Sequence, residues 1–326
     1  MIIKFDKIFR NMILRYPRDI YFLMITLFLF VVGFTVPIDQ KSDKFFSLKK
    51  NYENNLKYLK KSKTVRTVIK DQQINDNSFV LQWSKKILTQ AEKKSPISRE
   101  FFLYIPNEIN DNNTTDKKDI FISILLPIAL RGNEIVLEER ELIKNIFKYN
   151  DISGIQFFSK KYKIQNYKNI NFTNLSDKQL NKLKSELMVK VNTIPISMIL
   201  AQAIIESGWG TSRFAREGNA LFGEWTWQKN TGIKPLQKLN ANYSVKSFTN
   251  ITESLNSYIL NLNRHDAYKE MRSYRHKKIK NGNEVTGYET ANFLDGYAEI
   301  GHVYVTKVKE MIISNKLYKY DNLQLD

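Results

Sequence analysis

The chain has 326 residues, 42% of them hydrophobic, which is enough for one large domain or two modest ones. It has no cysteine, which excludes disulfides and thiolate chemistry, and its three histidines (His265, His276 and His302) lack metal-ligand spacing, so we expect no metal and no cofactor. The formal charge of +18 reflects either a biased composition or attraction to an anionic partner. With no helix-turn-helix, RRM or P-loop motif, we expect no nucleic-acid partner.

The first recognisable element is an uncharged run of 19 residues at 20–38, IYFLMITLFLFVVGFTVPI. Its length suits a bilayer core, which needs roughly 20 apolar residues. Five basic residues precede it within 1–19 and predict a cytoplasmic N-terminus, so the remainder would lie outside the inner membrane. A cleaved signal peptide is the alternative, but no A-x-A-like site follows, and we favour a retained anchor.

Residues 39–118 are polar and weakly patterned, and we interpret them as a periplasmic spacer with local structure such as a helix at Phe79–Leu88. Asn107–Lys118 has the composition of a linker. Helical spacing of apolar residues begins at Asp119, returns in an amphipathic helix at Glu134–Lys148, and recurs at Ser176–Val191, where Ser176 and Asp177 are a helix start signal.

The most informative stretch is 194–223, which contains IPISMILAQAIIESGWGTSRF. Pro195 suits a first helical turn, and the following residues are apolar on every side, so we expect a central helix that ends at Gly208. Thr211 or Ser212 is expected to cap a short helix. Residues 220–247 favour strands and turns, which predicts a small β lobe, and helical patterns resume from 251.

Glu206 lies at the end of the apolar helix and is our first candidate catalytic residue. Desolvation and the negative end of the helix dipole both raise the pKa of a carboxyl group placed there. A carboxylic acid that stays protonated near neutral pH can act as a general acid. The plain alternative is a helix-terminal glutamate that reaches water, but the apolar helix before it and the Ser-Gly-Trp-Gly sequence after it make this less favoured.

Two further carboxylates are candidates for a second catalytic group. Glu224 follows Phe222-Gly223 in the predicted β lobe, where an exposed strand residue is the default interpretation. Glu253 follows Asn250 by three residues, which is capping-box spacing. Aromatic and polar residues surround these positions, and about half of the aromatics are expected to be core. As substrate-binding residues we predict Ser207, Trp209, Phe222, Trp225, Tyr243 and Tyr297.

The sequence resembles the glucosaminidase domain of bacterial peptidoglycan hydrolases, glycoside hydrolase family 73, and is similar to its Bax-type branch from Gram-negative bacteria. The resemblance covers roughly Asp119–Leu317 and is strong after Val191. It rests on AQAIIESGWGTSRFAREGNALFGEWTW, on Tyr243-Ser, on FTNITES with Tyr258 and LNLN, on Tyr268, and on the tail GYAEIGHVYVTKVKEMIISNKL.

This resemblance implies a mainly α (α+β) fold: a lysozyme-like helical lobe and a small β lobe flanking a glycan cleft, here preceded by one transmembrane helix. The Bax-like region would be 119–326, with a catalytic core at about 176–317. Glu206 matches the family's catalytic glutamate, and Glu224 or Glu253 would supply the second group. Tyr297 matches the tyrosine of the family's C-terminal Tyr-Ala motif, although this chain continues with Glu-Ile-Gly rather than Thr-Asp-Pro.

The implied reaction is hydrolysis of the β-1,4 bond between N-acetylglucosamine and N-acetylmuramic acid in peptidoglycan glycan strands. Either a second carboxylate guides water or the sugar's 2-acetamido oxygen attacks, and the sequence leaves both routes open. Three alternatives also stay open at this point: a lytic transglycosylase, a catalytically inactive glycan-binding scaffold, and, ranked last because no motif supports it, a membrane-tethered nucleic-acid-binding protein.

Overall fold

α-Helices make up most of the described chain, which in this computed structural model comprises residues 67–69, 73, 75–164, 167–228, 231–235, 242–298 and 301–326. The helices are α1 (Asn77–Glu92), α2 (Thr114–Lys148), α3 (Ile152–Lys161), α4 (Asp177–Lys190), α5 (Ile196–Ser207), α6 (Arg213–Gly218), α7 (Ile251–Arg264), α8 (Lys269–Lys280), α9 (Gly287–Thr290) and α10 (His302–Ser314). Short 3-10 turns occur at Asn107–Asp111, Tyr167–Asn169, Asp266–Tyr268, Ala291–Phe293 and Leu317–Tyr320. The predicted anchor at 20–38 and the basic segment 1–19 lie outside the described residues.

The helix α5 lies at the centre of the folded unit, as its apolar sequence predicts. Helices α2, α9 and α10 and the turn Leu317–Tyr320 pack around it. Its side chains are buried along nearly the whole length. Pro195 stands one position before the helix as its N-cap, and Gly208 ends it in the left-handed conformation, with φ 59°. This placement holds the end of α5, and therefore Glu206, in a fixed position.

The helix α2 corrects the prediction of two separate helices after a linker. It runs unbroken over 35 residues, with Pro127 inside it, and includes residues 114–118 of the predicted linker. Asn113 starts the helix, because its side-chain oxygen accepts the Asp116 backbone N–H at 3.0 Å. Length and composition would let α2 cross a membrane, but 78% of its most apolar window is buried within the protein. Such burial is typical of a core helix.

The described part of the predicted spacer is also folded, which corrects its assignment as a spacer. The helix α1 contains the predicted helical stretch Phe79–Leu88 and packs against α2. Val80, Trp83 and Ile87 are buried at that contact. A pattern of apolar residues at positions 80, 83 and 87 is helical, but among many lysines and asparagines it gives a weak amphipathic signal.

The β lobe is small and lies directly after α6. Its strands are β3 (Trp225–Thr226), β4 (Gly232–Ile233) and β5 (Ser244–Lys246), and β5 pairs antiparallel with both neighbours. A parallel pair, β1 (Thr67–Val68) and β2 (Glu100–Phe101), lies elsewhere. The mainly α architecture with a small β lobe is the one expected for a lysozyme-like fold, and this prediction is confirmed.

Local start signals were read correctly from the sequence. Ser176 and Gln179 form a capping box at the start of α4. Ser212 caps α6, because its hydroxyl accepts the Ala215 N–H at 3.2 Å. These signals involve residues three positions apart, so they are legible without tertiary information.

Substituting Gly287 tests how tightly α5 is held at its start. A Cβ at this position would overlap Ser197 Oγ and would lie 2.7 Å from the backbone nitrogen of Met198. Because backbone cannot move aside cheaply, we expect Gly287→Ala to lower the free energy of unfolding by about 1–3 kcal/mol in urea denaturation. Gly296→Ala is the control, since its nearest neighbour would be Ala267 Cβ at 3.4 Å. Equal stability of the two variants would contradict this account of the packing.

Candidate active site

The carboxyl group of Glu206 lies at the C-terminal end of α5 and is half-buried. Burial is the larger influence on its pKa, which it raises above the ordinary value, and a hydrogen bond with the Tyr304 hydroxyl opposes this by lowering the pKa. No ion pair joins Glu206 to any residue that the structure describes. A carboxyl group in such an environment retains its proton to higher pH than an exposed glutamate.

The turn after Glu206 has an unusual backbone. Gly208, Trp209 and Gly210 all have positive φ, at 59°, 60° and 77°. Glycine adopts this conformation freely, but for tryptophan it costs about 1–2 kcal/mol. Trp209 is held there by packing, because its ring meets Phe121 edge-on at 6.0 Å and lies 5.1 Å from the ammonium of Lys118. Backbone strain of this kind is often found where a fold shapes a functional site.

Glu224 stands at the entrance to the β lobe and is also largely buried. Burial raises its pKa, whereas a hydrogen bond from Ser257 and the charges of Lys246 and Arg264 lower it. The Lys246 ammonium donates to Ser257 Oγ at 2.9 Å, and Ser257 donates to Glu224 Oε2 at 2.8 Å. The other oxygen, Oε1, is buried and has no hydrogen-bond partner among the described residues. A buried polar atom without a partner is uncommon in folded proteins and is often found at functional sites.

The fold brings Glu206 and Glu224 into one site. A Cβ built on Gly223, the residue before Glu224, would lie 3.3 Å from Glu206 Oε2. The absence of a side chain there, at φ 61°, lets the backbone approach the carboxyl group. Both carboxylates also act on Tyr268, whose pKa burial raises to about 12, with the charges of Glu224 and Glu206 adding to the rise.

Glu253 lies at the start of α7 and helps to cap that helix. Its backbone N–H is accepted by Asn250 Oδ1 at 2.9 Å, and its Oε2 accepts the Thr249 N–H at 3.1 Å. Its side chain is exposed to solvent. The capping role that its spacing predicts therefore accounts for its contacts, and the described contacts do not link it to Glu206 or Glu224.

Three tyrosines pack together near Glu206: Tyr258 and Tyr304 are buried, and Tyr297 is partly buried. Tyr297 stacks on Tyr304 at 5.2 Å and donates its hydroxyl to the carbonyl oxygen of Phe222 at 2.8 Å. Tyr258 stacks on the Phe222 ring at 3.9 Å. Burial raises the pKa of Tyr258, Tyr297 and Tyr304, so all three hydroxyls stay neutral. Tyr297 was predicted from the sequence as a substrate-binding residue, and the structure places it beside Glu206.

Two predicted substrate-binding residues are buried, which corrects their assignment. Ser207 is fully buried; its hydroxyl donates to the Ala203 carbonyl at 2.6 Å and accepts the Gly210 N–H at 2.9 Å. Phe222 is 3% exposed, with its ring stacked on Tyr258. Both side chains support the site from behind. Residue type alone does not distinguish such supporting roles from contact with a ligand.

The β lobe presents aromatic side chains to solvent. Trp225 is 50% exposed and stacks on Tyr243 at 4.5 Å with ring planes 7° apart. Trp227 is 70% exposed and lies just after the two-residue strand β3. These rings lie next to Glu224 in sequence and offer flat surfaces of the kind that sugars stack on.

Several residues that build the site were missed by sequence reasoning. Gln202 and Tyr304 join Tyr258 in a buried network, and Ser257 with Lys246 partners Glu224. One signal was available, because Gln202 is a polar residue one turn before Glu206 in an otherwise apolar helix. Within the described ranges, no group of three or more acidic, histidine or cysteine residues could hold a metal ion.

A separate cavity of about 970 Å³ lies at the opposite end of α5, against Pro195 and Ile196. Ile196 and Glu206 are ten residues apart on this helix, which places the cavity about 15 Å from Glu206 along the helix axis. Glu134 in its lining is paired with Arg99 at 2.6 Å. Asp321 in the same lining is a carboxyl group whose pKa is raised by burial, and its oxygens accept hydrogen bonds from Ser197 and Gly287.

The residues that form this candidate site lie in a part of the chain that is similar to known proteins. Residues 182–317 match the Glucosaminidase family, described as mannosyl-glycoprotein endo-beta-N-acetylglucosaminidase. The chain is 29% identical over 201 residues to the Escherichia coli (strain K12) protein called "Protein bax". That alignment covers 58% of this chain and 66% of the relative, just under two thirds of its length. No solved structure matches the chain at a significant level.

Proposed function

We propose that the chain is a Bax-type glucosaminidase-like protein and a peptidoglycan hydrolase that cleaves the β-1,4 bond between N-acetylglucosamine and N-acetylmuramic acid. The observation that carries the proposal is the buried Glu206 carboxyl, whose pKa is raised and which no cation neutralises among its described contacts. In this proposal Glu206 is the general acid that protonates the departing glycosidic oxygen.

Glu224 is the proposed second group. The two carboxyls have different surroundings: Glu224 accepts a hydrogen bond from Ser257 and lies 4.0 Å from the Lys246 ammonium, whereas Glu206 has no ion-pair partner in the described chain. Carboxylates whose surroundings separate their pKa values commonly divide the acid and base roles. We assign the acid role to Glu206 and the base role to Glu224.

The exposed aromatic rings of the β lobe are proposed to hold the glycan. Trp225, Trp227 and Tyr243 would stack on sugar faces, and Trp209 would border the cleft at the end of α5. The charge of +18 would favour a wall polymer that carries carboxylates.

Substituting Glu206 tests the assignment of the general acid. Glu206→Gln keeps the shape but removes the proton, so we expect a loss of at least about 100-fold in release of fragments from purified peptidoglycan, with an unchanged thermal unfolding midpoint. Mass spectrometry of the wild-type products should show reducing N-acetylglucosamine ends. Anhydromuramic ends would instead identify a lytic transglycosylase, and wild-type binding without cleavage would identify a glycan-binding scaffold.

Substituting Glu224 tests the second group against a matched control. We expect Glu224→Gln to lose most activity, with added azide restoring turnover as an α-configured glycosyl azide, because inversion needs an external nucleophile once the base is gone. Glu253→Gln should keep full activity and lose less than about 1 kcal/mol of stability through its weakened cap. If Glu224→Gln stayed fully active and the products had retained configuration, the 2-acetamido route would replace this assignment.

We further propose that the segment 20–38 anchors the protein in the inner membrane, with the catalytic unit in the periplasm. The support is the uncharged run preceded by basic residues. Protease added to spheroplasts should degrade a C-terminal tag while a cytoplasmic marker survives. A tag protected until the membrane is lysed would contradict this topology.

A further inference from the structure

We propose that Ser257 and Lys246 are positioning residues for Glu224: Lys246 sets the direction of the Ser257 hydroxyl, and Ser257 holds the Glu224 carboxylate by one of its oxygens. Neither residue is assigned a contact with the substrate, so both act through Glu224. This inference rests on the base role proposed for Glu224, but its test does not depend on turnover.

The β lobe places Lys246 directly opposite Glu224. Strands β3 and β5 pair antiparallel with Trp225 opposite Val245, and the Lys246 backbone N–H donates to the Glu224 carbonyl oxygen at 2.7 Å. Continuing this register by one residue makes Glu224 and Lys246 a cross-strand pair, and the side chains of such a pair lie on the same face of the sheet. The backbone therefore brings two opposite charges together.

A serine hydroxyl from α7 connects these two charges. The Lys246 ammonium donates to Ser257 Oγ at 2.9 Å, and Ser257 donates to Glu224 Oε2 at 2.8 Å. The ammonium itself lies 4.0 Å from Oε2, which is too far for a direct hydrogen bond. Oε1 has no hydrogen-bond partner in the described chain, so Oε2 is the oxygen by which the carboxylate is held.

The direction of these bonds follows from counting hydrogens. A lysine ammonium only donates, and a serine hydroxyl has a single hydrogen, so Ser257 accepts from Lys246 and gives its hydrogen to Glu224. A serine inside a helix often donates instead to the carbonyl four residues earlier, as Ser207 does to Ala203 at 2.6 Å. The ammonium at the Ser257 oxygen favours the orientation in which the hydrogen points away from it, toward Oε2.

The helix α7 also holds the backbone that leads to Glu224, through a different serine. Ser254 Oγ accepts the Leu221 N–H at 3.1 Å, and both residues are buried. Ser254 and Ser257 are three residues apart, so they lie on one side of α7. One serine therefore bonds to the main chain and the other to the carboxylate, which lets substitutions separate the two roles.

The pair acts against the effect of burial on Glu224. Burial raises the pKa of Glu224, and the hydrogen bond from Ser257 and the charges of Lys246 and Arg264 lower it. The charged and titratable groups near Glu224 come from four elements: Lys246 from β5, Arg264 from α7, Tyr268 from the turn Asp266–Tyr268, and Glu206 from α5. Of these groups, Lys246 is the cation with a described hydrogen bond to Ser257. The arrangement favours an ionised Glu224, which a general base requires.

The test is a titration of Glu224 in the full-length protein, followed by the ¹³C chemical shift of its carboxyl carbon and assigned by its absence in Glu224→Gln. In Ser257→Ala we expect the pKa of Glu224 to rise by about one pH unit, because a hydrogen bond to a charged group is lost. Ser257→Thr retains the hydroxyl and should keep the wild-type value. If wall hydrolysis is detectable, the acid limb of its pH profile should move to higher pH by the same amount in Ser257→Ala, because the base must be ionised.

A double-mutant cycle tests whether Lys246 acts through Ser257. Lys246→Met should raise the pKa of Glu224 in the wild-type background, and it should raise that pKa by less in the Ser257→Ala background, where the connecting hydroxyl is gone. Fully additive shifts would show that Lys246 acts by its charge alone and would contradict its positioning role.

Ser254→Ala is the matched control. It removes a hydroxyl from the same side of α7 and leaves the buried Leu221 N–H without its acceptor, so the thermal unfolding midpoint should fall while the pKa of Glu224 stays unchanged. Equal shifts of that pKa in Ser254→Ala and Ser257→Ala, or none in folded Ser257→Ala, would overturn the inference. Lys246→Met serves if Ser257→Ala does not fold, and an unchanged pKa there would overturn it too. Absent hydrolysis with the expected titrations would count against only the proposed function.

Discussion

The candidate site depends on one constraint: the Glu206 carboxyl group is held largely away from water and has no ion-pair partner among the described residues. Burial destabilises the ionised form of Glu206, and the Tyr304 hydroxyl partly restores its stability. A cation at the same place would make the carboxyl a permanent anion, as salt-bridged carboxylates are. A neutral hydroxyl stabilises the ionised carboxylate less than a cation does, so the carboxyl group can still gain and lose its proton. The neighbouring tyrosines exclude water while adding no formal charge, and this is the environment that a general acid requires.

The fold supplies this environment by placing its most buried helix behind the site. Since α5 is surrounded by α2, α9 and α10, its last turn has little freedom. The left-handed turn through Trp209 then redirects the chain, and Gly223 lets the β lobe approach Glu206 closely. The β lobe carries Glu224 and the exposed rings of Trp225 and Trp227. The scaffold helix α5 and the β lobe therefore each contribute one carboxyl group to the candidate site.

The sequence predicted what local chemistry determines. The caps at Ser176 and Ser212, the helix end at Gly208 and the β lobe all follow from residues close together in the chain. The sequence-based prediction was wrong where the structure is determined by contacts between residues that are far apart in the chain. The helix α1 was assigned to a spacer because only its contact with α2 shows that its apolar side chains are buried. Ser207 and Phe222 are residue types that often contact ligands, but both side chains face inward. The hydrogen bond between Gln202 and Tyr304 joins residues that are 102 positions apart. No single-sequence pattern reports such a contact.

The most direct measurement is a crystal structure of Glu206→Gln with a bound peptidoglycan tetrasaccharide. The account predicts that the side-chain amide of residue 206 lies within about 3.2 Å of the oxygen joining N-acetylglucosamine to N-acetylmuramic acid. It also predicts a sugar ring on the exposed face of Trp225 or Trp227. A glycan bound elsewhere on the protein, with residue 206 out of reach of any glycosidic oxygen, would contradict the central claim.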